Sequence, residues 1–134
     1  MAKISGAALT TLSVDDSAGT PRDIRNDITD WDCSIDIALQ DVTGQDVSAL
    51  ERLGLLADAS INLRGVVNPT ALFSHDVLSD IVGGVARTVS LGFGGVSLPL
   101  EVLFSQYRIT RASNAALTWN APGALQDGTV PTWA

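Results

Sequence analysis

One cysteine and one histidine stand in 134 residues. Cys33 alone makes neither an intramolecular disulfide nor a cysteine-cluster zinc site, and His75 alone excludes a multi-histidine metal site within one chain. Charge is scarce as well: Asp, Glu, Lys and Arg make up 17% of the sequence, against about a quarter in an ordinary soluble domain. The basic sign is the scarcer one. Eight Lys+Arg face 15 Asp+Glu, for a formal net charge of −7. Tight binding of DNA or RNA needs cations on the phosphates, so this balance argues against it. No apolar run reaches the roughly 18 residues of a spanning helix. Residues 1–6 lack the long apolar stretch of a signal peptide, so folding in a cytoplasm is expected.

Apolar residues, by contrast, are plentiful. They form 46% of the chain, with a mean hydropathy of +0.24, which is too apolar for disorder. The length fits one domain over residues 1–134 and allows about two-thirds of the unfolded surface to be buried without metal or disulfide staples. So apolar and so weakly charged a chain is expected to bury surface against partners.

The hydrophobic pattern has mostly a period of two. Residues 7–14 read as a strand, and turn chemistry follows from Asp15 to Pro21. Residues 22–30 suit either an edge strand or an ordered loop. Trp31, Cys33, Ile35, Ile37 and Leu39 alternate with Asp32, Ser34, Asp36 and Ala38, a half-buried strand with one acidic face. Residues 41–58 change period. Val47, Leu50, Leu53 and Ala57 recur every three or four positions, and Ser48 to Glu51 fits a capping box, with Thr43 and Asp46 as rival caps. This predicts an amphipathic helix from about Val47 to Ala57, weakened by Gly54, packed on a sheet through Val47, Leu50 and Leu53. Alternation returns over residues 59–67. Residues 70–81 are ambiguous but suit a short helix. Residues 85–93 alternate again, Gly94-Gly95 gives a hairpin turn, and residues 96–112 form one long strand or two. Residues 115–121 add another strand, after a turn at Ser113-Asn114. The expected fold is mainly β: an antiparallel β-sandwich or barrel of about seven strands with one flanking α-helix.

Site chemistry is thin. His75-Asp76 could orient a base, yet a helix-end or contact histidine is the commoner outcome. Cys33 lies on an apolar strand face, where cysteine behaves as a small hydrophobe. The glycine pairs lack the Lys-Ser/Thr of a phosphate loop. Asp15-Asp16 and Asp30/Asp32 follow no EF-hand spacing. Trp31, Trp119 and Trp133 could stack on sugar, although core or interface packing is the better reading. No catalytic, metal or cofactor residue is assigned. The two readings that compete with a structural role are a carbohydrate-binding β-sandwich using surface tryptophans and a small enzyme using His75 and a serine.

Several segments together resemble the major tail tube proteins of long-tailed, non-contractile bacteriophages. They are Met1-Ala2-Lys3-Ile4-Ser5-Gly6 leading into Leu9-Thr10-Thr11-Leu12, then Gly19-Thr20-Pro21-Arg22-Asp23-Ile24, Asp41-Val42-Thr43-Gly44 and Ser48-Ala49-Leu50-Glu51-Arg52-Leu53. Gly65-Val66-Val67-Asn68-Pro69, Ser74-His75-Asp76, Ala86-Arg87-Thr88-Val89 and the tail Asp127-Gly128-Thr129-Val130-Pro131-Thr132-Trp133 continue the likeness. The resemblance implies a non-enzymatic virion protein with no cofactor: two antiparallel sheets flanked by a helix, six copies to a ring, and rings stacked into a tube. DNA passes through the lumen without specific binding. Tape-measure, baseplate and tail terminator proteins are the implied partners, the tail of the virion is the implied location, and no membrane insertion is implied. On this reading residues 1–6 and 122–134 are assembly arms. Val47, Leu50, Leu53 and Trp133 are candidate assembly contacts, with Trp133 docking on a neighbouring subunit. Asp32, Ser34 and Asp36 are candidate lumen-facing residues, with Thr88/Ser90 and Thr118/Asn120 as neutral alternatives.

Overall fold

The computed structural model describes residues 3–5, 9–81, 84–111 and 116–134. Among these residues, eight antiparallel strands carry the fold. They are β1 (Leu9–Asp15), β2 (Pro21–Asp23), β3 (Ile28–Asp41), β4 (Arg52–Val66), β5 (Arg87–Phe93), β6 (Val96–Phe104), β7 (Arg108–Arg111) and β8 (Leu117–Leu125). A 3-10 turn, Arg25–Asp27, precedes β3, and one five-residue helix, α1 (Ser74–Leu78), lies between β4 and β5. The ambiguous segment 70–81 therefore does contain the short helix. The turn expected at Ser113-Asn114 lies outside the described residues.

The strands follow the order β2-β1-β5-β6-β8-β4-β3, with β7 also on β8. Inside the sheet the path is narrowest between β6 and β8, where Val102–Phe104 pair with Gly123–Leu125 over three positions, as few as at the short edge strand β2. Leu12, Val14, Val89, Leu91, Leu98 and Leu100 on one side of that junction are buried, and so are Ile61, Leu63, Trp119 and Ala121 on the other. All belong to one apolar cluster. A five-residue helix cannot cover a face that wide, so the sheet must fold over on itself at the β6–β8 junction. The result is two four-stranded halves, β2-β1-β5-β6 and β7-β8-β4-β3, whose alternate residues meet in the core. Gly94 and Gly95, both with positive φ, make the tight β5–β6 turn. Ser105–Tyr107 separates β6 from β7, so residues 96–111 hold two strands, and residue 112 lies outside the described residues.

The predicted helix over Val47–Ala57 is not formed. Residues 42–51 are an irregular loop, and β4 begins at Arg52. Its outer half pairs with β3 through Ile37↔Ala57, Leu39↔Gly54, Gln40↔Leu53 and Asp41↔Arg52, with a register shift between Ile37 and Leu39. The physical reason is competition. An isolated helix of about eleven residues is marginal, Gly54 weakens it further, and a partner strand was waiting. Thr43, a rival cap in the sequence, does accept a backbone N–H, but from Glu51 at 2.8 Å across the loop, and Val42 N–H donates to Glu51 O. Val47, Leu50 and Leu53 are all exposed, so none packs on a sheet.

Two buried polar groups lock the remaining connections. Asp27 accepts hydrogen bonds from Asn68 Nδ2 at Oδ1 and from Ser74 N–H at Oδ2, both at 3.0 Å, and so caps α1. Arg87 donates to the Asp15 and Val77 carbonyls and to Asp80 Oδ1. That hydrogen bond, foremost, holds the Asp80 carboxyl below its ordinary value of 3.8. A carboxyl depressed by folding contributes stability that is present above 3.8 and lost as pH falls through its lower folded value. Asp80→Asn should therefore lower Tm at neutral pH, and the gap to wild type should close in scans taken progressively below pH 3.8. A second expectation concerns Gly65. A Cβ there would lie 1.9 Å from the Asp27 carbonyl oxygen, an overlap with backbone that no rotamer relieves. Gly65→Ala should cost about 3 kcal/mol or more and depress Tm by roughly 10 °C, measured by thermal melting.

Candidate functional surfaces

The β3–β4 hairpin carries the features that stand out. Its inner half packs on the core through Trp31 and Cys33. Its outer half extends beyond, because 14- and 15-residue strands outrun the seven to nine residues of β5, β6 and β8. The apolar face of β3 continues into that extension. Ile35, Ile37 and Leu39 lie on the same side as Trp31 and Cys33 but are exposed, Ile37 at 53%. Val42, Val47, Leu50, Leu53, Leu55 and Leu56 surround the tip, with Leu56 at 90%. Exposed apolar surface of this extent marks an interaction site.

The opposite face is polar, and the register assembles it from four strands. Asp30, Asp32, Ser34 and Asp36 of β3 lie across from Arg64, Asn62, Ser60 and Asp58 of β4. Asn120 and Thr118 of β8 follow, then Arg108 and Thr110 of β7. Asp32, Ser34 and Asp36, singled out in the sequence, are thus joined on one face by the alternative pair Thr118/Asn120. Thr88 and Ser90 sit elsewhere, on β5 opposite Glu101 and Pro99, and Thr88 Oγ1 donates to Glu101 Oε1. Arg64 bridges Asp30 at 3.0 Å and Asp32 at 2.9 Å, which raises its pKa, Asp32 contributing first. Ser34 Oγ donates to Asp36 and meets Ser60 Oγ. Asp36 and Asp58 oppose each other directly, and neither joins an ion pair among the described residues. Four carboxylates against two guanidinium groups leave this face acidic. Sequence reading missed Asp58, Asn62, Arg64 and Arg108, because only pairing between strands places them beside β3.

The groups weighed for chemistry are otherwise engaged. His75 Nδ1 lies 3.1 Å from the Tyr107 hydroxyl, whose ring also packs against buried Trp119. Burial raises the pKa of Tyr107, and burial together with Asp32 raises that of Cys33, so the thiol is held protonated. Asp16 is held below its usual value by Thr20 N–H and Arg22, among others. Among the described residues no group of three His, Cys, Asp or Glu could hold a metal, and no helix is long and apolar enough to cross a membrane. Trp119 is 2% exposed and donates Nε1–H to Val66 O, so the three indoles share no platform. Trp133 packs edge-on against Phe93 of its own chain, and Ala134 and Ser97 exchange both backbone hydrogen bonds. The tail thus docks on its own subunit, with Trp133 still half-exposed. It starts later than expected, since residues 122–125 belong to β8.

No protein-family model matches this sequence, and no curated protein does. Solved structures share its fold. One is a chain of the tail of an empty gene transfer agent (GTA) particle, solved by helical refinement with C6 symmetry. It gives a TM-score of 0.76 at 17% identity, over 98% of this chain and 99% of that one. A chain of the native GTA virion gives 0.74 at 16% identity with the same coverage. A chain of the sheath/tube terminator of the extracellular contractile injection system PVC, in its extended state, gives 0.62 at 12% identity over 100% and 98%. The fold of this chain, end to end, is therefore the fold of chains from phage-like tail particles.

The hairpin tip makes a sharp contrast with the core. Truncating a buried leucine costs about 2–5 kcal/mol. Leu50→Ala and Leu56→Ala should change stability by less than about 0.5 kcal/mol, read as unchanged denaturant midpoints beside a Leu91→Ala control that falls.

Proposed function

We propose that this chain is the structural tube subunit of a phage-like tail. Six copies close into a ring, rings stack, and the tube conducts DNA. The observation that carries this reading is the β3–β4 extension, apolar on one face and acidic on the other, left without cover in the single subunit. A neighbouring copy on the apolar face, from the same ring or the next, would bury Ile35, Ile37 and Leu39, and further contacts around the tip would cover Leu50, Leu56 and Leu53, the last standing beside Gln40 on the other face. Val47 and Trp133 would join these contacts. The full-length likeness to a chain of a tail with C6 symmetry supports the six-fold ring. The low content of charge fits a subunit that buries much of its surface in assembly.

The acidic face would line the channel. Asp32, Ser34 and Asp36, with Asp58 and Ser60, would repel phosphate and let a duplex slide. A tube of a siphophage-like particle would also meet tape-measure, baseplate and terminator proteins at its ends and bore. Enzymatic activity and cofactors have no part in this role.

Light scattering over a concentration series, with negative-stain imaging, tests the reading. Rings or tubes should appear as concentration rises, and a strictly monomeric protein at every concentration and salt would refute it. Asp58→Lys with Ser60→Lys, placed on an inner strand away from the sheet edges, should leave tubes intact. It should make them retain duplex DNA added before assembly, in cosedimentation that weakens with salt. Wild-type levels of DNA in the pellet would place the bore on another face.

A further inference from the structure

Among the described residues, the half-sheet β7-β8-β4-β3 ends in two open edges. β3 pairs only with β4, and β7 pairs only with β8. The other half is better closed. β2 is three residues long, and the free edge of β6 is covered by the chain's own tail, through Ala134 on Ser97 and Gln126 N–H on Glu101 O. Pro99 lies between those two points and offers no N–H. The β3 edge, by contrast, runs for 14 residues with neither proline nor lysine to blunt it.

The two open edges carry opposite charge. β3 holds Asp30, Asp32, Asp36 and Asp41 and no cation, while β7 holds Arg108 and Arg111 and no acid. Register puts Arg108 beside Asn120, Asn120 beside Arg64 and Arg64 beside Asp30, so Arg108 shares one face with Asp30, Asp32 and Asp36, while Asp41 lies on the other. Neither Arg108 nor Arg111 is in an ion pair among the described residues, and neither is Asp36, which directly faces Asp58. Like charges directly opposite each other on neighbouring strands are unfavourable without a cation.

We propose that the acidic β3 edge and the basic β7 edge are the two halves of a seam between copies of this chain, with Arg108 of one copy paired to the β3 carboxylates of the next. The inference rests on the ring reading above and adds its polarity. The four strands alternate in direction, so a copy related by rotation presents β7 antiparallel to β3 and the sheet continues unbroken. Two copies meeting β3 to β3 would set carboxylates against carboxylates. The charge pattern therefore disfavours the closed two-fold dimer and favours the head-to-tail contact that generates rings. Only even steps of stagger between copies keep Arg108 on the acidic face, which limits the registers available.

The test is charge reversal in the full chain. Arg108→Glu should melt like wild type, since Arg108 is exposed, yet need at least about tenfold more protein to form rings in light scattering and imaging. Adding Asp30→Arg, Asp32→Arg or Asp36→Arg to Arg108→Glu, one at a time, should restore assembly in one of the three double variants. If wild type assembles and Arg108→Glu assembles at the same concentration, or if no double variant recovers, the seam is wrong while the ring reading stands. If wild type never assembles, the ring reading fails and the seam with it. Two-fold dimers joined through β3, seen by cross-linking, would also overturn the proposal.

Discussion

The carboxylate of Asp27 holds three separate pieces of the chain at one point. It is 5% exposed, caps the first turn of α1 through Ser74 N–H and fixes Asn68 just after β4. Its own carbonyl lies so close to β4 that only glycine fits at position 65, with the Trp119 ring on the same side. Burying a carboxylate without partners is costly, so these partners come as a set. Once they are in place, the start of β3, the end of β4 and the middle of β8 are in register, and the hairpin must project in one direction. The hairpin's reach past the core, and both of its exposed faces, follow from that anchor.

The extension is a construction the single subunit does not complete. Its inner half is held by core contacts from Trp31 and Cys33, and beyond Ile35 the β3–β4 backbone ladder and the Thr43–Glu51 hydrogen bond of the tip support it. Burying apolar surface is worth roughly 25 cal/mol per Å², and the exposed leucines and isoleucines forgo that gain in isolation. A folded domain with a closed apolar core and an uncovered apolar arm suits the proposed assembling subunit: the core makes the protomer, and on that reading the arm is kept for the neighbour. The acidic face obeys the same economy. Arg64 compensates Asp30 and Asp32 within the chain, whereas Asp36 and Asp58 join no ion pair among the described residues.

Much of this was legible in the sequence, and the boundary of legibility is physical. Alternation at Trp31–Leu39, 59–67 and 85–93 identified half-buried strands, because a side chain's face in a strand is set by parity alone. Gly94-Gly95 identified its hairpin because few other residues take two positive φ values in succession. Scarce charge and abundant apolar residues pointed to burial against partners. The acidic parity of Asp32, Ser34 and Asp36 was visible before any coordinate. The reading failed at Val47–Ala57, where a spacing of three and four resembles a helix. Leucines around a loop and a strand can fall at that spacing by accident, and local periodicity does not record that β3 lies alongside.

Residue types and their order thus determined a β-rich, acidic chain, poor in histidine and cysteine, with one strand acidic on one side and apolar on the other. Tertiary structure decided what lay beside that strand. Cross-strand neighbours are set by register between segments tens of residues apart, and no local pattern encodes register. Only the folded sheet sets Asp58 against Asp36, puts Arg64 on Asp30 and Asp32, carries Arg108 to the far edge, and turns Leu50 and Leu53 outward instead of into a core.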